Sequence, residues 1–598
     1  MATIGGGNND RVYSIKSWLG LNQNPDGDTK LKYGEAAVME NWRITRDGNL
    51  RRRPGMALQE TVGAGPVRRL WSGMVAEREC VLAACDDKLY RLFNNAEWGV
   101  EELGTIYATG DVFVFGFSEK AYILDGQSYR VYDGETLADV VGYVPLVQVS
   151  AVPSGGGVTL EQVNKLTASR RVQFSPDGTA VTLMLPEKNI ASVDYVKSTV
   201  TGAMLEGYTV NLASGAVTLE SAPESGQNTI EIQYTASEDY AYQVKHMRYA
   251  ELFNGSQDSR VFIYGDGSNQ AFYSGLDTAG QPRADYFPDM NHIAFGESNT
   301  PITAMVRHGS RLLAYKTNSV YSVYYSTVSL ADGSMTAGFY VSPVHRALGN
   351  VAAGQVQVVG NYPRALHGED CFEWRNASTY FTADERQAKR ISDRVQRSLR
   401  QFNLEQCKCW DDNGNQEYYI CYDKKAIIHN YAADAWYYYT NFDAVSLMNF
   451  RDELYIGTSD GRVLHVSDNY RTDCGEAISA YWESGAMDFK ADYMRKYTSA
   501  LWVSTKPESN SYVEITVKTD RKDDFSVKEI ERGAGSGFSL WDFNTFTFSE
   551  NTQPKVKKLR IKAKKYAYFK LIFQTAKPNT VATVLAADIR SRQTGYAK

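Results

Sequence analysis

The stretch GEAAVMENWRITRDGNLRRRPGM, from Gly34 to Met56, decides how the first strands of this chain pair. Two short runs flank an Asp-Gly pair, and a glycine at that place supplies the positive φ of a tight turn. A three-residue loop at positions 46–48 sets Ile44 opposite Leu50, whereas a two-residue loop sets Ile44 against an arginine. We therefore predict a β-hairpin with the longer loop, in which Trp42 lies opposite Arg52.

Three consecutive arginines end this hairpin, although the 598-residue chain has a formal net charge of -6. In the predicted register Arg51 and Arg53 share one face, and Arg52 can cover the indole of Trp42. A charged hairpin edge that stops at Pro54 would protect the sheet from strand addition, which is the simplest interpretation. Contact with another subunit is the alternative interpretation of the same arginines.

Composition indicates an all-β protein with several domains. The 40 tyrosines and 48 glycines favour strands and turns over helices, and the length suggests about four units of about 150 residues. The mean hydropathy of -0.40 and the lack of a long apolar run predict no membrane span. The N-terminus has no secretory pattern, so we expect synthesis in a cytoplasm.

The seven cysteines are scattered and odd in number, which argues against a disulfide framework. Cys407 and Cys409 can project from one face of a strand, with Cys421 across a hairpin. A zinc site would need further ligands at suitable spacing, so we interpret these residues as buried thiols.

A short tyrosine-rich strand, a turn and a second strand recur along the chain, as expected of β-hairpins. The seven copies begin at Asp87, Glu119, Ser259, Ser310, Asp370, Gln416 and Asp452. Such hairpins cannot bury both faces alone, but units stacked around an axis bury one another. The pattern predicts an irregular β-propeller with roughly six to eight blades.

Two stretches depart from the hairpin pattern and predict separate β-sandwich domains. The predicted domains are 1–149 with the N-terminal hairpin and first propeller blades, 150–240 as an inserted small β-sandwich, 241–474 with the remaining blades, and 475–598 as a C-terminal β-sandwich. Alternation within the insertion predicts a core of Val217, Leu219, Ile230, Ile232 and Tyr234. Segments rich in Gly, Ser and Pro flank this insertion, as is typical of domain boundaries.

The segment ADERQAKRISDRVQRSLRQF, residues 383–402, predicts an amphipathic helix. Its apolar stripe consists of Ile391, Val395, Leu399 and Phe402. Its basic residues are Arg386, Arg390, Arg394, Arg397 and Arg400. The helix could cover a blade edge with a solvated face, or its arginines could contact an acidic partner subunit or phosphates.

The segment KVKKLRIKAKKYAYFK begins at Lys555 and alternates apolar residues with cations. Leu559, Ile561 and Ala563 fall on one face of an extended chain. We predict a half-buried strand with a lysine-rich outer face, for which edge protection is the commonest reason.

No catalytic, metal or cofactor motif is recognisable in the sequence. It contains no phosphate-binding glycine loop, HExxH motif or nucleophile elbow. WDDNGNQE, from Trp410 to Glu417, resembles part of a calcium loop but lacks the terminal glutamate, so a turn explains it better. The paired carboxylates of a glycosidase propeller would have no sequence signature, and that possibility stays open.

The N-terminal hairpin resembles a segment of the tail nozzle and packaged-DNA-stabilising hub proteins of short-tailed bacteriophages, and of related propellers in other tailed phages. The matching residues are Gly34, Glu35, Glu40, Asn41, Ile44, Gly48, Leu50, Arg53, Pro54 and Gly55. The resemblance implies a ring, usually of six copies, below the portal and adaptor, through which the genome leaves the capsid. It also implies that the hairpin serves the propeller or a subunit contact.

We therefore expect a non-enzymatic structural protein of a virion tail or head–tail connector, a homo-oligomer that contacts portal, adaptor and other tail proteins. Genomic DNA would pass through without sequence-specific binding, because six copies at -6 each would repel the duplex. Arg51–Arg53 and the basic residues of 386–400 would then lie outside the lumen. A receptor- or glycan-binding propeller at the virion surface is the alternative, and a propeller enzyme is a third possibility that the missing motifs disfavour.

Overall fold

A computed structural model describes residues 10–24, 28–94, 96–237, 241–254, 260–329, 335–376, 386–522, 527–532 and 554–596. These residues form an all-β protein with short helical turns. The chain divides into two compact units, one made of residues 1–72, 351–379 and 386–598, the other of residues 73–350 and 380–385.

The second unit contains four-stranded antiparallel sheets in which each strand pairs with the next along the chain. The first begins within the other unit and comprises Val67–Val75, Arg78–Cys85, Lys88–Asn94 and Glu97–Thr105. The next comprises Phe113–Phe117, Lys120–Leu124, Tyr129–Tyr132 and Leu137–Asp139. After the insertion come Tyr249–Leu252, Val261–Tyr264, Gln270–Tyr273 and His292–Ala294, and then Ile302–His308, Arg311–Lys316, Val320–Ser329 and Met335–His345.

The insertion consists of two sheets and is followed by the short helix Ala241–Lys245. One sheet has the order Val158–Thr159, Leu146–Ala151, Ser169–Phe174, Ile230–Ala236, Ile190–Ser198, and the other has the order Thr182–Met184, Ala216–Thr218, Thr209–Asn211. Both contribute to one hydrophobic core. All five predicted core residues of this stretch are buried there, so the predicted alternation is confirmed.

The first unit contains three further runs of sequentially paired strands. They are Gln357–Val359, Tyr362–His367, Asp370–Asn376 and Arg386–Arg390; Lys408–Asp412, Glu417–Tyr422, Lys425–Asn430 and Ala435–Thr440; and Ser446–Phe450, Glu453–Gly457 and Arg462–Ser467. Gly55–Thr61 adds a fourth, antiparallel strand to the last run, next to Arg462–Ser467. Thr472–Asp473 and Glu476–Ala477 extend that sheet further.

N-terminal strands complete both sheets formed by the C-terminal part of the chain. The C-terminal sheet has the order Trp42–Ile44, Leu50–Arg52, Thr583–Tyr596, Met494–Thr505, Lys555–Tyr566, and Asp10–Ile15 also pairs with Thr583–Tyr596. The other sheet continues from Ala435–Thr440 through Glu35–Glu40, Ala480–Ser484, Phe569–Thr575, Ser511–Thr519 and Lys528–Arg532, with Gly20–Leu21 beside Glu35–Glu40. Residues of both sheets share one core, which includes Trp42, Trp482 and Leu559.

Six of the seven predicted hairpins pair as the sequence indicated. The exception begins at Asp370. Its predicted second strand falls on residues 378–381, outside the described part of the chain, and Asp370–Asn376 pairs instead with Arg386–Arg390.

The predicted amphipathic helix at 383–402 is wrong for most of its length. Residues 383–385 lie outside the described residues, and Arg386–Arg390 is a strand. Short helical turns follow at Asp393–Val395, Gln396–Leu399 and Leu404–Gln406, and another lies at Asp28–Lys30. Backbone pairing with the preceding strand outweighs the local helical periodicity, as tertiary context often does.

Candidate functional site

The N-terminal hairpin has the predicted register. Ile44 pairs with Leu50, and Trp42 pairs with Arg52. Gly48 has a φ of 77°, the left-handed conformation that closes the three-residue loop. Trp42, Ile44 and Leu50 are buried, so the hairpin is anchored in the core of the first unit.

Arg53 is the most completely bonded arginine of the hairpin, and its side chain is 1% exposed. Its Nε donates to Asn41 Oδ1 at 2.9 Å, and Nη1 donates to Asp473 Oδ1 and to the Pro54 carbonyl, both at 3.0 Å. Nη2 donates to Asp473 Oδ2 at 2.5 Å and to the Thr440 carbonyl at 3.3 Å. These bonds use all five N–H donors of a guanidinium, two of them in a bidentate pair with a carboxylate.

Asn41 joins the hairpin to two neighbouring strands. Its backbone is left-handed, with a φ of 57°, a conformation that asparagine tolerates better than most residues. Its Nδ2 donates to Thr440 Oγ1 and to the Ser479 carbonyl at 2.7 Å, while its Oδ1 accepts from the Thr440 amide and from Arg53. Asn41 and Arg53 together therefore form a clamp, the Asn41–Arg53 clamp, that ties both ends of the hairpin to the unit.

Two glycines of the same motif are required by close backbone approaches. A Cβ on Gly55 would lie 2.4 Å from the carbonyl oxygen of Thr472 and 2.8 Å from that of Tyr470. A Cβ on Gly34, whose φ is 95°, would lie 2.0 Å from the carbonyl oxygen of Ser17. The motif residues that carry the phage resemblance thus serve packing and hydrogen bonding within the chain.

Arg51 and Arg52 are bonded less completely than Arg53. Arg51 lies 3.7 Å from a carboxylate oxygen of Glu508 and 4.0 Å from one of Asp468. Arg52 is 3% exposed, and its Nη2 donates to the Arg471 carbonyl at 2.7 Å. Its Nε and Nη1 are buried without a partner among the described residues. Burial, together with the nearby charge of Arg53, lowers the pKa of Arg52 to about 10.

A cleft of about 390 Å³, here called the arginine cleft, opens beside these residues. Its cations are Arg51, Arg52, Arg53, Arg471 and Lys506, and its acids are Asp468 and Glu508. Because Asp473 already neutralises Arg53, the remaining cations outnumber the acids. The cleft can therefore accept an anionic group such as a carboxylate.

A second cleft, of about 480 Å³, lies beside the hairpin loop, shares Arg51, Asp468 and Lys506 with the arginine cleft, and is lined mostly by polar residues. Arg43, Glu417 and Asp468 line it together with asparagines of two turns. Arg43 is ion-paired with Asp468, and Tyr419 donates to Glu417 at 2.8 Å. Burial raises the pKa of Glu417. Three carboxylates, those of Asp47, Glu417 and Asp468, thus line this cleft, and the last two already have partners in the same chain.

The basic residues of 386–400 are spread over a strand and short helical turns. Arg386 lies opposite Asn376 in the strand pair. Arg390 pairs with Asp393 at 2.5 Å, and Arg394 with Asp434 at 3.6 Å.

The remaining arginines of that segment lie at its C-terminal end. Arg397 is exposed, and Arg400 pairs with Glu369 at 2.6 Å. Most of these side chains thus have acidic partners in their own chain. A contact of this segment with another subunit stays a prediction.

A buried polar network that the sequence did not indicate surrounds His429. Arg364 pairs with Glu373 at 3.0 Å, and its Nη1 lies 3.0 Å from His429 Nδ1. Because arginine only donates, Nδ1 accepts and Nε2 carries the proton that reaches Asp434 at 3.3 Å. Burial lowers the pKa of His429, so the ring is held neutral in a structural network.

The cysteines predicted as buried thiols are buried. Cys421 lies opposite Lys408 in the strand pair, with Cys407 and Cys409 on either side of that residue. Burial raises the pKa of Cys409 to about 12 and that of Cys421 well above its ordinary value, which makes both poor nucleophiles. Within the described ranges, no group of three or more His, Cys, Asp or Glu side chains is placed to hold a metal ion.

The acidic partners of the hairpin, Asp468, Asp473 and Glu508, were not identified from the sequence. They lie far along the chain, in a turn, an irregular segment and the short strand Thr472–Asp473, and carry no local motif. The only available signal was physical: arginines that become buried need carboxylates nearby.

Comparison with known proteins gives no assignment. No protein-family model matches the chain, and no curated protein matches it. Among solved structures, the computationally designed Ika8 protein is 8% identical, with 69% of this chain and 99% of that chain covered and a TM-score of 0.32. BBS1N in complex with ARL6DN, from a mercury-soaked crystal, is 9% identical, with 69% and 96% covered and a TM-score of 0.24. Likenesses this weak do not indicate a function for this chain.

Within the described residues, no helix is both long and apolar enough to span a membrane.

Proposed function

We propose that this chain is an architectural subunit of a tailed-bacteriophage particle. It would be a β-propeller that assembles into a ring of six copies in the tail nozzle or head–tail connector. The genome would be retained behind this ring and leave through it. The observation that carries the proposal is the Asn41–Arg53 clamp, because the motif that resembles phage tail proteins is used entirely for mechanical anchoring.

The order of the sheets supports the propeller part of the proposal. The described residues contain six four-stranded antiparallel sheets or sheet parts built from sequential strands, and a seventh that has three sequential strands. The last is completed by Gly55–Thr61, which directly follows the hairpin and precedes the first sheet in the chain. Closure by a strand from the other end of the chain is what a toroid of blades requires, and it would give seven blades.

The arginine cleft offers a contact for the ring part of the proposal. Arg52 is buried with unused donors, and the cleft has more cations than acids. A ring of identical subunits needs two different complementary surfaces on each copy. An acidic side chain of a neighbouring copy that enters this cleft would satisfy Arg52, in agreement with the subunit contact predicted for Arg51–Arg53.

The mass of the purified full chain in solution tests the proposal. Six copies of the 66.9 kDa chain give a particle of about 400 kDa by light scattering after size exclusion, and electron microscopy should show a ring with a central channel. Arg52→Met should shift the equilibrium toward the monomer, whereas Arg78→Met, which removes an exposed arginine outside the predicted contact residues, should not. A chain that stays monomeric at every concentration would refute the ring.

The receptor- or glycan-binding alternative depends on one feature, the polar cleft beside the hairpin. Glu417, Asp468 and the neighbouring asparagines could donate and accept hydrogen bonds with a sugar. A monomer that binds glycans in an array, and loses this binding on Glu417→Ala, would favour this alternative over the ring.

A further inference from the structure

The strand Lys555–Tyr566 has an unusual concentration of cations. Seven of its twelve residues are Lys or Arg, and none is Asp or Glu. As predicted, Leu559, Ile561 and Ala563 point into the core. Lys558, Arg560, Lys562 and Lys564 alternate with them on the exposed face. Alternate residues of a strand are spaced by about 6.6 Å, so these cations form a regular row.

Aromatic side chains of the neighbouring strand lie beside this row. Trp502 is the cross-strand neighbour of Lys558, whose Nζ lies 5.4 Å from the indole. Tyr497 is the neighbour of Lys564 on one side and of Arg592 on the other. The guanidinium of Arg592 lies 5.0 Å from the Tyr497 ring. We call this surface of three strands the basic face.

A cavity of about 630 Å³ opens at one end of the basic face. Its cations are Arg495, Arg521, Lys564, Lys565 and Arg592. Its aromatic residues are Tyr497 and Tyr596, and the Tyr596 side chain is 78% exposed. Among the described residues, only Asp520 forms an ion pair with one of these cations, at 3.5 Å from Arg495.

Acidic residues also lie on the exposed face of this sheet, but on strands farther from the row of cations. Asp588 is the cross-strand neighbour of Trp502 and accepts a hydrogen bond from Ser14. Asp10 accepts from Arg590 Nε at 2.7 Å. These contacts leave the row on Lys555–Tyr566 and the cavity strongly positive, although the whole chain is acidic.

We propose that the basic face binds single-stranded nucleic acid, with phosphates along the row of cations and a base in the cavity against Tyr596. This inference goes beyond the proposed function and does not depend on ring assembly. A row of cations spaced by about 6.6 Å matches a flexible, extended chain of phosphates. Aromatic rings interleaved with cations are the arrangement by which proteins hold single strands without sequence preference.

Edge protection accounts for lysines on the outermost described strand, but it does not account for the cavity. Arg495, Arg592 and Tyr497 lie on the two inner strands of the face, where no edge needs protection. An exposed tyrosine beside several cations is a stacking platform for a base. A polysulfated sugar would use the same cations but has no base to stack on Tyr596.

Fluorescence anisotropy with the full chain and a labelled single strand of about 12 nucleotides tests this inference. One variant combines Lys558→Gln, Lys562→Gln and Lys564→Gln. The matched control variant combines Lys120→Gln, Lys188→Gln and Lys424→Gln. The control removes three exposed lysines elsewhere. The first variant should bind at least about tenfold more weakly at low salt, with a log–log salt slope smaller by about 2, and the control should bind like the parent.

Tyr596→Ala separates nucleic acid from other polyanions. It should weaken binding of the oligonucleotide about fivefold or more but leave binding of heparin unchanged, because only the bases stack. Unchanged thermal melting of each variant confirms that it is folded. Equal losses in the two lysine variants would overturn the inference, as would a Tyr596→Ala variant that affects both ligands equally. The readout is separate from particle mass, so either proposal can fail alone.

Discussion

The C-terminal sheet has a basic run at each end, and the two runs differ in almost every physical respect. At the hairpin end, Arg53 is buried and its five donors all have partners in the same chain. At the other end, the lysines of Lys555–Tyr566 are exposed and alternate with core residues. Charge of the same sign in the sequence thus corresponds to an anchor at one end and to an open surface at the other.

The choice of cation follows this difference. Arginine presents a planar fork that can saturate a carboxylate and several carbonyls at once, so it tolerates burial. Lysine is a strongly hydrated point charge and stays in water unless a ligand displaces that water. A basic run rich in Arg next to Pro-Gly therefore indicates internal anchoring, whereas alternating lysines indicate a surface available to partners.

The largest expected effect comes from Arg53→Met, which should destabilise the first unit by about 3 to 5 kcal/mol because it leaves the half-buried Asp473 carboxylate and the buried Asn41 without their partner. Tryptophan fluorescence reports the change in the urea or thermal transition, since Trp42 lies in the hairpin. Arg397→Met is the control and should change stability by less than about 0.5 kcal/mol. Equal melting of the two variants would mean that the hairpin end is no anchor.

Asn41→Ala should have the next largest effect, about 2 to 3 kcal/mol, since it removes four hydrogen bonds and leaves an alanine in a left-handed conformation. The matched control is Asn469→Ala, in an exposed turn. Differential scanning calorimetry of both variants gives the comparison. A loss no greater than that of the control would show that Arg53 holds the hairpin without Asn41.

Arg52→Met should behave in the opposite way to Arg53→Met. Arg52 is buried with one side-chain hydrogen bond, to the Arg471 carbonyl, and two unused donor atoms, so its charge is poorly compensated within the chain. Replacing such a cation by an apolar side chain of similar length is expected to be neutral or to stabilise the isolated chain by about 1 kcal/mol. A loss of several kcal/mol in dilute, monomeric samples would show that Arg52 is an internal anchor like Arg53.

The sequence predicted the parts of this comparison that depend on local geometry. The hairpin register follows from Gly48 and from the pairing of Ile44 with Leu50, and all three residues lie in one short stretch of the chain. The prediction that Leu559, Ile561 and Ala563 are buried needed only the two-residue period of side chains along a strand. The core of the insertion followed from the same rule.

The parts that the sequence did not predict depend on distant contacts. Asp473, which neutralises Arg53, lies 420 residues further along the chain. The residues that follow Arg386–Arg390 have a helical pattern. Arg386–Arg390 itself is a strand because Asp370–Asn376 offers it backbone partners. The role of N-terminal strands in completing the C-terminal sheet is likewise invisible to any local pattern.

We expect the smallest effect on stability from the variant that combines Lys558→Gln, Lys562→Gln and Lys564→Gln. Each side chain lies in water, and only Lys558 contributes a contact, with Trp502, worth about 0.5 to 1 kcal/mol at an exposed site. Removing three neighbouring like charges also relieves repulsion along the row, which offsets that loss. We therefore expect a change in unfolding free energy below about 1 kcal/mol by urea titration. A larger loss would mean that this end of the sheet is also an anchor, and the contrast between buried arginine and exposed lysine would fail.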